Sequence, residues 1–173
     1  MRRKKSLPAL IVFAILSAIS LFISQQGDGS EEKAIVTRVV DGDTMVVMLK
    51  GMERKVRLLG VDTPEKDGPY TRAEPMNREA SMRAAELAQG QAVTLTYGGA
   101  TLTDKYDRLL AYVTLPDGRV LNEILIQEGL AEAIHKFKYT EKAKYHLLEA
   151  RAKSACAGLW RYRPPCSGKG KYR

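Results

Sequence analysis

The chain has 173 residues, with 28 Lys and Arg against 20 Asp and Glu, for a formal net charge of +8. That length suits one domain plus an extra segment, and the positive surplus favours polyanionic partners, nucleic acid or an anionic membrane surface, over acidic ones. With only two cysteines and two histidines, nothing in the chain resembles a metal-binding thiolate set.

The first 32 residues stand apart. "MRRKK" precedes an uncharged apolar run, 7–23, broken only by Pro8, Ser17 and Ser20, and "SQQGDGSEE" follows as a polar linker. This is the pattern of a signal peptide or an N-terminal membrane anchor. The run is long for a signal-peptide core and short for a spanning helix. In both cases the basic end stays cytoplasmic and the rest of the chain is exported.

"AIVTRVV" (34–40) is β-branched and reads as a first strand. The Asp-Gly signal in "DGDT" (41–44) turns the chain into a second strand, "TMVVMLK" (44–50). "KVRLLGV" (55–61) reads as a third strand and completes a meander. Pro64 has no N–H for a ladder, so the strand ends near Asp62 and leaves Asp62 and Glu65 on a turn. A polar loop runs to residue 77. "REASMRAAELAQG" is predicted helical, with Ala80, Met82, Ala84, Leu87 and Ala88 on its apolar side and Gly90 ending it. "QAVTLTY" (91–97) and "RLLAYVTL" (108–115) read as strands; 120–130 and 140–160 read as helices. The order β-β-β-α-β-β-α-α, with five short antiparallel strands, fits a small Greek-key barrel of the OB type with three helices. A split αβ sandwich is the competing architecture. The domain boundaries fall at 1–32, 33–162 and a C-terminal tail, 163–173. Cys156 and Cys166 bracket "AGLWRYRPP"; in an oxidising compartment they can close a loop, and otherwise they are free thiols.

The charged residues beside the strands form a chemical set. A meander brings Asp43 and Asp62 together, and two adjacent carboxylates repel unless a cation joins them. An all-oxygen site completed by the Thr63 carbonyl suits Ca²⁺, with the stricter Mg²⁺ as second choice. Glu65 is a third carboxylate, able to take a proton from water. Arg57 and Arg108 present planar forks for a phosphate. Metal, base and guanidiniums are the parts that phosphodiester hydrolysis needs. Singly, each residue has a bland reading: a strand-edge arginine, a polar turn, a solvated acid. Asp41 reads as a turn residue, and Tyr97, Tyr112, Tyr145 and His146 as packing.

The blocks "VVDGDT", "VRLLGVDTPE", "TDKYDRLLAYV" and "LNEILIQEGLA" together resemble the staphylococcal nuclease (thermonuclease) family over residues 34 to 160. The resemblance implies an OB-fold barrel with three helices, a monomer, and Ca²⁺-dependent cleavage of DNA and RNA to 3′-phosphate ends. Carried across by position, it implies calcium ligands at Asp43, Asp62 and Thr63, a general base at Glu65, and phosphate-binding arginines at Arg57 and Arg108. It adds substrate contacts at Lys105 and Tyr106. Where the family's archetype has base-stacking tyrosines, this chain reads "EAIHKFK", with His135 and Phe137. Both rings can stack on a base without offering a phenol. The cysteine-bearing C-terminus is a second departure. An OB module that only binds nucleic acid is the alternative, and a basic surface that binds lipid beside the anchor is a weaker one.

Overall fold

A computed structural model describes residues 31–66, 74–164 and 166–167. The apolar segment 7–23, the linker up to residue 30, most of the 66–77 loop and the tail beyond 167 lie outside the described residues; Glu31 and Glu32, read from sequence as linker, instead open the first strand. Among those described, the elements run β1 (Glu31–Val39), β2 (Thr44–Leu49), β3 (Met52–Leu58), β4 (Val61–Asp62), α1 (Asn77–Ala88), β5 (Ala92–Thr96), β6 (Leu109–Thr114), α2 (Leu121–Gln127), β7 (Glu132–Ala133), α3 (Lys142–Ser154) and a 3₁₀ turn (Gly158–Tyr162).

Five strands close a barrel in the order β1-β2-β3-β6-β5, so no long edge is left open. β1 pairs with both β2 and β5, and its register shifts between Val36 and Arg38. A bulge there bends the strand from one ladder to the other. Val56 and Leu58 point inward, and the two-residue period turns Arg57 to the opposite face. The barrel interior is filled by Val36, Val47, Val56, Leu58, Leu95 and Val113, each at most 1% exposed. Removing such a side chain from water contributes about 1.5–3 kcal/mol apiece.

Three expectations need correction. The five strands are not all antiparallel: β3 and β6 run parallel, with Arg57 opposite Leu110. α1 and β5 lie between them in sequence, and this crossover brings β6 in from the same end. The third strand begins at Met52 and breaks after Leu58. Gly60 has φ +76, and a Cβ there would meet the Tyr139 ring at 2.5 Å, so the chain turns past that ring. Val61–Asp62 then forms a separate ladder with β7, Asp62 opposite Glu132. The last helix stops at Ser154 instead of 160. Gly158 packs against the Gly129 backbone, with no space for a side chain between them, and Leu159 N–H donates to the Gly129 carbonyl at 2.8 Å.

α1 lays Ala80, Ala84 and Ala88 on the barrel, while Met82 is solvent-exposed. α2 is tied to the barrel by Asn122, fully buried. Its Oδ1 accepts from Val113 N–H, and its Nδ2 donates to the Leu59 and Ala111 carbonyls. Tyr145 of α3 is also buried and meets Tyr112 edge-on, ring centroids 5.9 Å apart. Cys156 and Cys166 form a disulfide, Cα–Cα 5.8 Å.

Candidate active site

Asp43 sits at the end of the β1–β2 turn, next to Thr44, which pairs with Arg57 across the β2–β3 ladder. The Asp43 carboxylate is buried and fully engaged. Oδ2 accepts from the Thr63 N–H and hydroxyl, both at 2.8 Å, and pairs with Arg57 Nη1 at 2.5 Å. Oδ1 accepts from the Thr44 hydroxyl at 3.1 Å. Buried charge is tolerated only when satisfied in this way. Arg57 also donates to the Val61 carbonyl at 2.9 Å and to Asp62 Oδ1 at 2.8 Å. One guanidinium therefore bridges both candidate metal-binding acids and holds the Gly60 turn.

Asp41, read from sequence as a turn residue, lines the same cleft and accepts the Asp43 N–H at 3.2 Å. Burial, then the Asp43 charge, pushes the Asp41 carboxyl above the usual carboxylate range. Burial also raises Asp62; the Asp43 charge adds to this and the Arg57 charge opposes it. Acids raised chiefly by burial, with repulsion from Asp43 adding to it, lie where a cation is favourable. Among the described residues no three His, Cys, Asp or Glu side chains gather closely enough to hold a metal alone. Asp43, Asp62 and the Thr63 carbonyl form an all-oxygen donor set whose chemistry fits a hard cation such as Ca²⁺.

Arg108 approaches from β6. Its Nε and Nη2 rest on Asp104 Oδ2 at 2.7 and 2.6 Å, and Nη1 lies 3.4 Å from the Thr44 hydroxyl. Asp104 also accepts the Tyr106 and Arg108 N–H groups through Oδ1. Burial raises the Asp104 pKa, but these hydrogen bonds outweigh it and the net shift is downward. The sequence reading missed Asp104 as the holder of Arg108; an aspartate opening "DKYDR", placed to cap its own turn, was the available signal.

Glu65 is exposed and lines a cleft of about 190 Å³ together with Asp43, Arg57, Thr63 and Arg108. Its carboxylate makes no hydrogen bond to a described residue. Its backbone is held: Glu65 N–H donates to Glu74 Oε2 at 3.1 Å, and Glu74 N–H returns to the Glu65 carbonyl at 3.0 Å. This base-to-base bridge closes the neck of the 66–77 loop.

A second groove of about 750 Å³ meets the cleft at Arg57 and Arg108. Leu59, Leu110, Tyr106 and Phe137 give it apolar walls, and Lys105, Lys136 and Lys138 line it with positive charge. Lys105 Nζ and the Arg108 guanidinium lie 4.9 and 5.4 Å from the Tyr106 ring centroid. His135, expected beside Phe137 as a substrate contact, does not line this groove. Its ring stacks on His146, centroids 4.0 Å apart, and Nε2 is 3.1 Å from the buried Glu149. The chain bends at Lys136 and Phe137, so the two-residue period of a strand does not carry from His135 to Phe137, and only Phe137 lines the groove.

Oxygen donors, two guanidiniums and an unengaged carboxylate in one cleft suit the binding and hydrolysis of a phosphodiester. Comparison with known proteins agrees. The profile described as "Staphylococcal nuclease homologue" matches residues 55–162. A thermonuclease of Staphylococcus intermedius is 37% identical over 158 residues, 86% of this chain and 91% of the relative. A thermonuclease of Staphylococcus hyicus is 32% identical over 161 residues, 87% and 94% of the two chains. The endonuclease YncB of Bacillus subtilis (strain 168) is 38% identical over 125 residues, 71% of this chain and 59% of the relative.

Proposed function

The chain belongs to the staphylococcal nuclease homologue family and is a nuclease; we propose that it is a Ca²⁺-dependent endonuclease hydrolysing phosphodiester bonds of DNA and RNA to 3′-phosphate ends. The single observation that carries this is the cleft lined by Asp43, Arg57, Thr63, Glu65 and Arg108, with Asp62 joined to it through Arg57.

Asp43, Asp62 and the Thr63 carbonyl would hold Ca²⁺, which supplies charge neutralisation at the scissile phosphate when bound. Arg57 and Arg108 each turn part of a fork to the non-bridging oxygens and stabilise the charge that grows as the phosphorus gains a fifth ligand. Asp104 and Thr44 hold Arg108 in advance, so little ordering is left for the transition state. Glu65 takes the proton of the attacking water; its exposure and lack of a partner leave it free to do so. Departure of the 5′ oxygen leaves the phosphate on the 3′ side. Lys105, Tyr106 and Phe137 hold the neighbouring nucleotide, with the rings stacking on a base and the lysines following the backbone. His135, engaged with Glu149, has no part in this. We further assign the domain to an exported location, as a monomer tethered by or released from segment 7–23; the Cys156–Cys166 disulfide favours an oxidising compartment.

The test is hydrolysis of single-stranded DNA and RNA by the purified chain, with Ca²⁺ and with a chelator, followed by end-group analysis. Cleavage that stops with the chelator and leaves 3′-phosphates is expected. Binding without cleavage at every Ca²⁺ level would replace this reading with a nucleic-acid-binding module.

A further inference from the structure

The disulfide-closed C-terminal loop reaches the catalytic loop through one side chain, Arg163. It lies inside the ring closed by Cys156 and Cys166. Its carbonyl accepts the N–H groups of Cys166 and Ser167, both at 3.0 Å. Its guanidinium is 5.8 Å from the Trp160 ring centroid, within cation–π reach. From there it extends to two acids outside the loop. Nη1 pairs with Glu132 Oε1, and Nη2 is 3.8 Å from Glu74 Oε1. The other oxygen of Glu74 accepts the Glu65 N–H. Glu132 stands opposite Asp62 in the β4–β7 ladder. One guanidinium therefore links both ends of the Asp62–Glu65 segment to the disulfide loop.

We infer that Arg163 is a positioning residue for the nuclease reaction, holding Glu74 and thereby the backbone of Glu65, with the disulfide holding Arg163 in turn. This rests on the proposed role of Glu65. The Glu65 carboxylate has no hydrogen bond of its own to a described residue, so its direction is set by its backbone. A general base must stay within hydrogen-bond reach of the water it deprotonates, and a misplacement of about 1 Å can cost on the order of 10²-fold in rate. The ion pairs of Arg163 are half-exposed, and such pairs add little to global stability. Their effect belongs to rate. Arginine is required because its fork can serve two carboxylates, whereas an ammonium is a single point charge.

The experiment measures kcat and KM on a single-stranded DNA oligonucleotide with Ca²⁺. It compares the full chain, Arg163→Ala, Arg163→Lys, Glu74→Ala and the Arg163→Ala/Glu74→Ala double variant, each oxidised and after reduction and alkylation of the cysteines. Arg163→Ala should lower kcat roughly tenfold with KM within about twofold, and Arg163→Lys should restore part of the loss. The double variant should lose no more than the worse single variant, since both act on one link. Reduction should lower kcat of the unaltered chain and leave Arg163→Ala almost unchanged. Losses that multiply in the double variant, or reduction that slows both proteins equally, would overturn the inference. Glu65→Gln separates the two readings. If it keeps full activity, the base role of Glu65 fails; an accompanying loss in Arg163→Ala would then also rule out action through Glu65.

Discussion

Arg57 makes contact with Asp43, Asp62 and the Val61 carbonyl at once, so its planar fork serves the fold and the site together. Arg57→Lys keeps the charge but not the fork. It should lower kcat by on the order of 10²-fold, more than it raises KM, in steady-state hydrolysis of single-stranded DNA. Glu149 tests a different balance. It is buried, and burial alone would raise its pKa. Lys153, His135 and the Ala133 N–H outweigh that and hold it below the usual carboxylate range. A depressed acid contributes stability above its unfolded value, which is lost as pH falls through the folded value. Glu149→Gln should therefore cost about 2 kcal/mol near neutral pH, and thermal melts should show the gap to the unaltered protein closing as pH drops below the unfolded value of 4.5. At this scale the residues that line the cleft, Asp43, Arg57, Glu65 and Arg108, were legible because their chemistry is written in residue type: acids beside a turn, arginines beside strands. Their holders were not. Asp104, Glu74 and Arg163 are ordinary charged residues in sequence, and only the folded neighbourhood makes them partners. The neighbours of His135, His146 and Glu149, were hidden for the same reason.

The segment from Leu58 to Thr63 shows how small elements aim large effects. Gly60 at φ +76 lets β3 end and β4 begin, with the Tyr139 ring packed where a Cβ would lie. Gly60→Ala should cost about 1–3 kcal/mol through the strained φ and the clash, and should impair cleavage beyond the stability loss by shifting Asp62 and Glu65. Melting temperature and kcat measured together check this. Strands β1, β2, β5 and β6 were legible as β-branched or apolar runs bounded by turn residues, and helix α1 from its apolar side. The two-residue β4–β7 ladder was not, because an element that short has no period to read. The parallel β3–β6 pair depends on the crossover and not on either strand's own residues.

The groove beside the cleft presents a row of lysines to a polyanion. The lysines and arginines along the groove should make oligonucleotide binding weaken with salt, as released counterions require. Affinity that stays flat from low to physiological ionic strength would count against the groove as the substrate track. Family and barrel were legible together because four ordered blocks span the domain, and both the closed barrel and the 55–162 match agree with them. The central claim is that Glu65, held by its backbone in a cleft with two arginines, is the base. The most direct test is single-turnover cleavage of single-stranded DNA by Glu65→Gln at saturating Ca²⁺. A rate lowered by about 10²–10⁴-fold with oligonucleotide affinity retained is the predicted result; cleavage at the unaltered rate would contradict it.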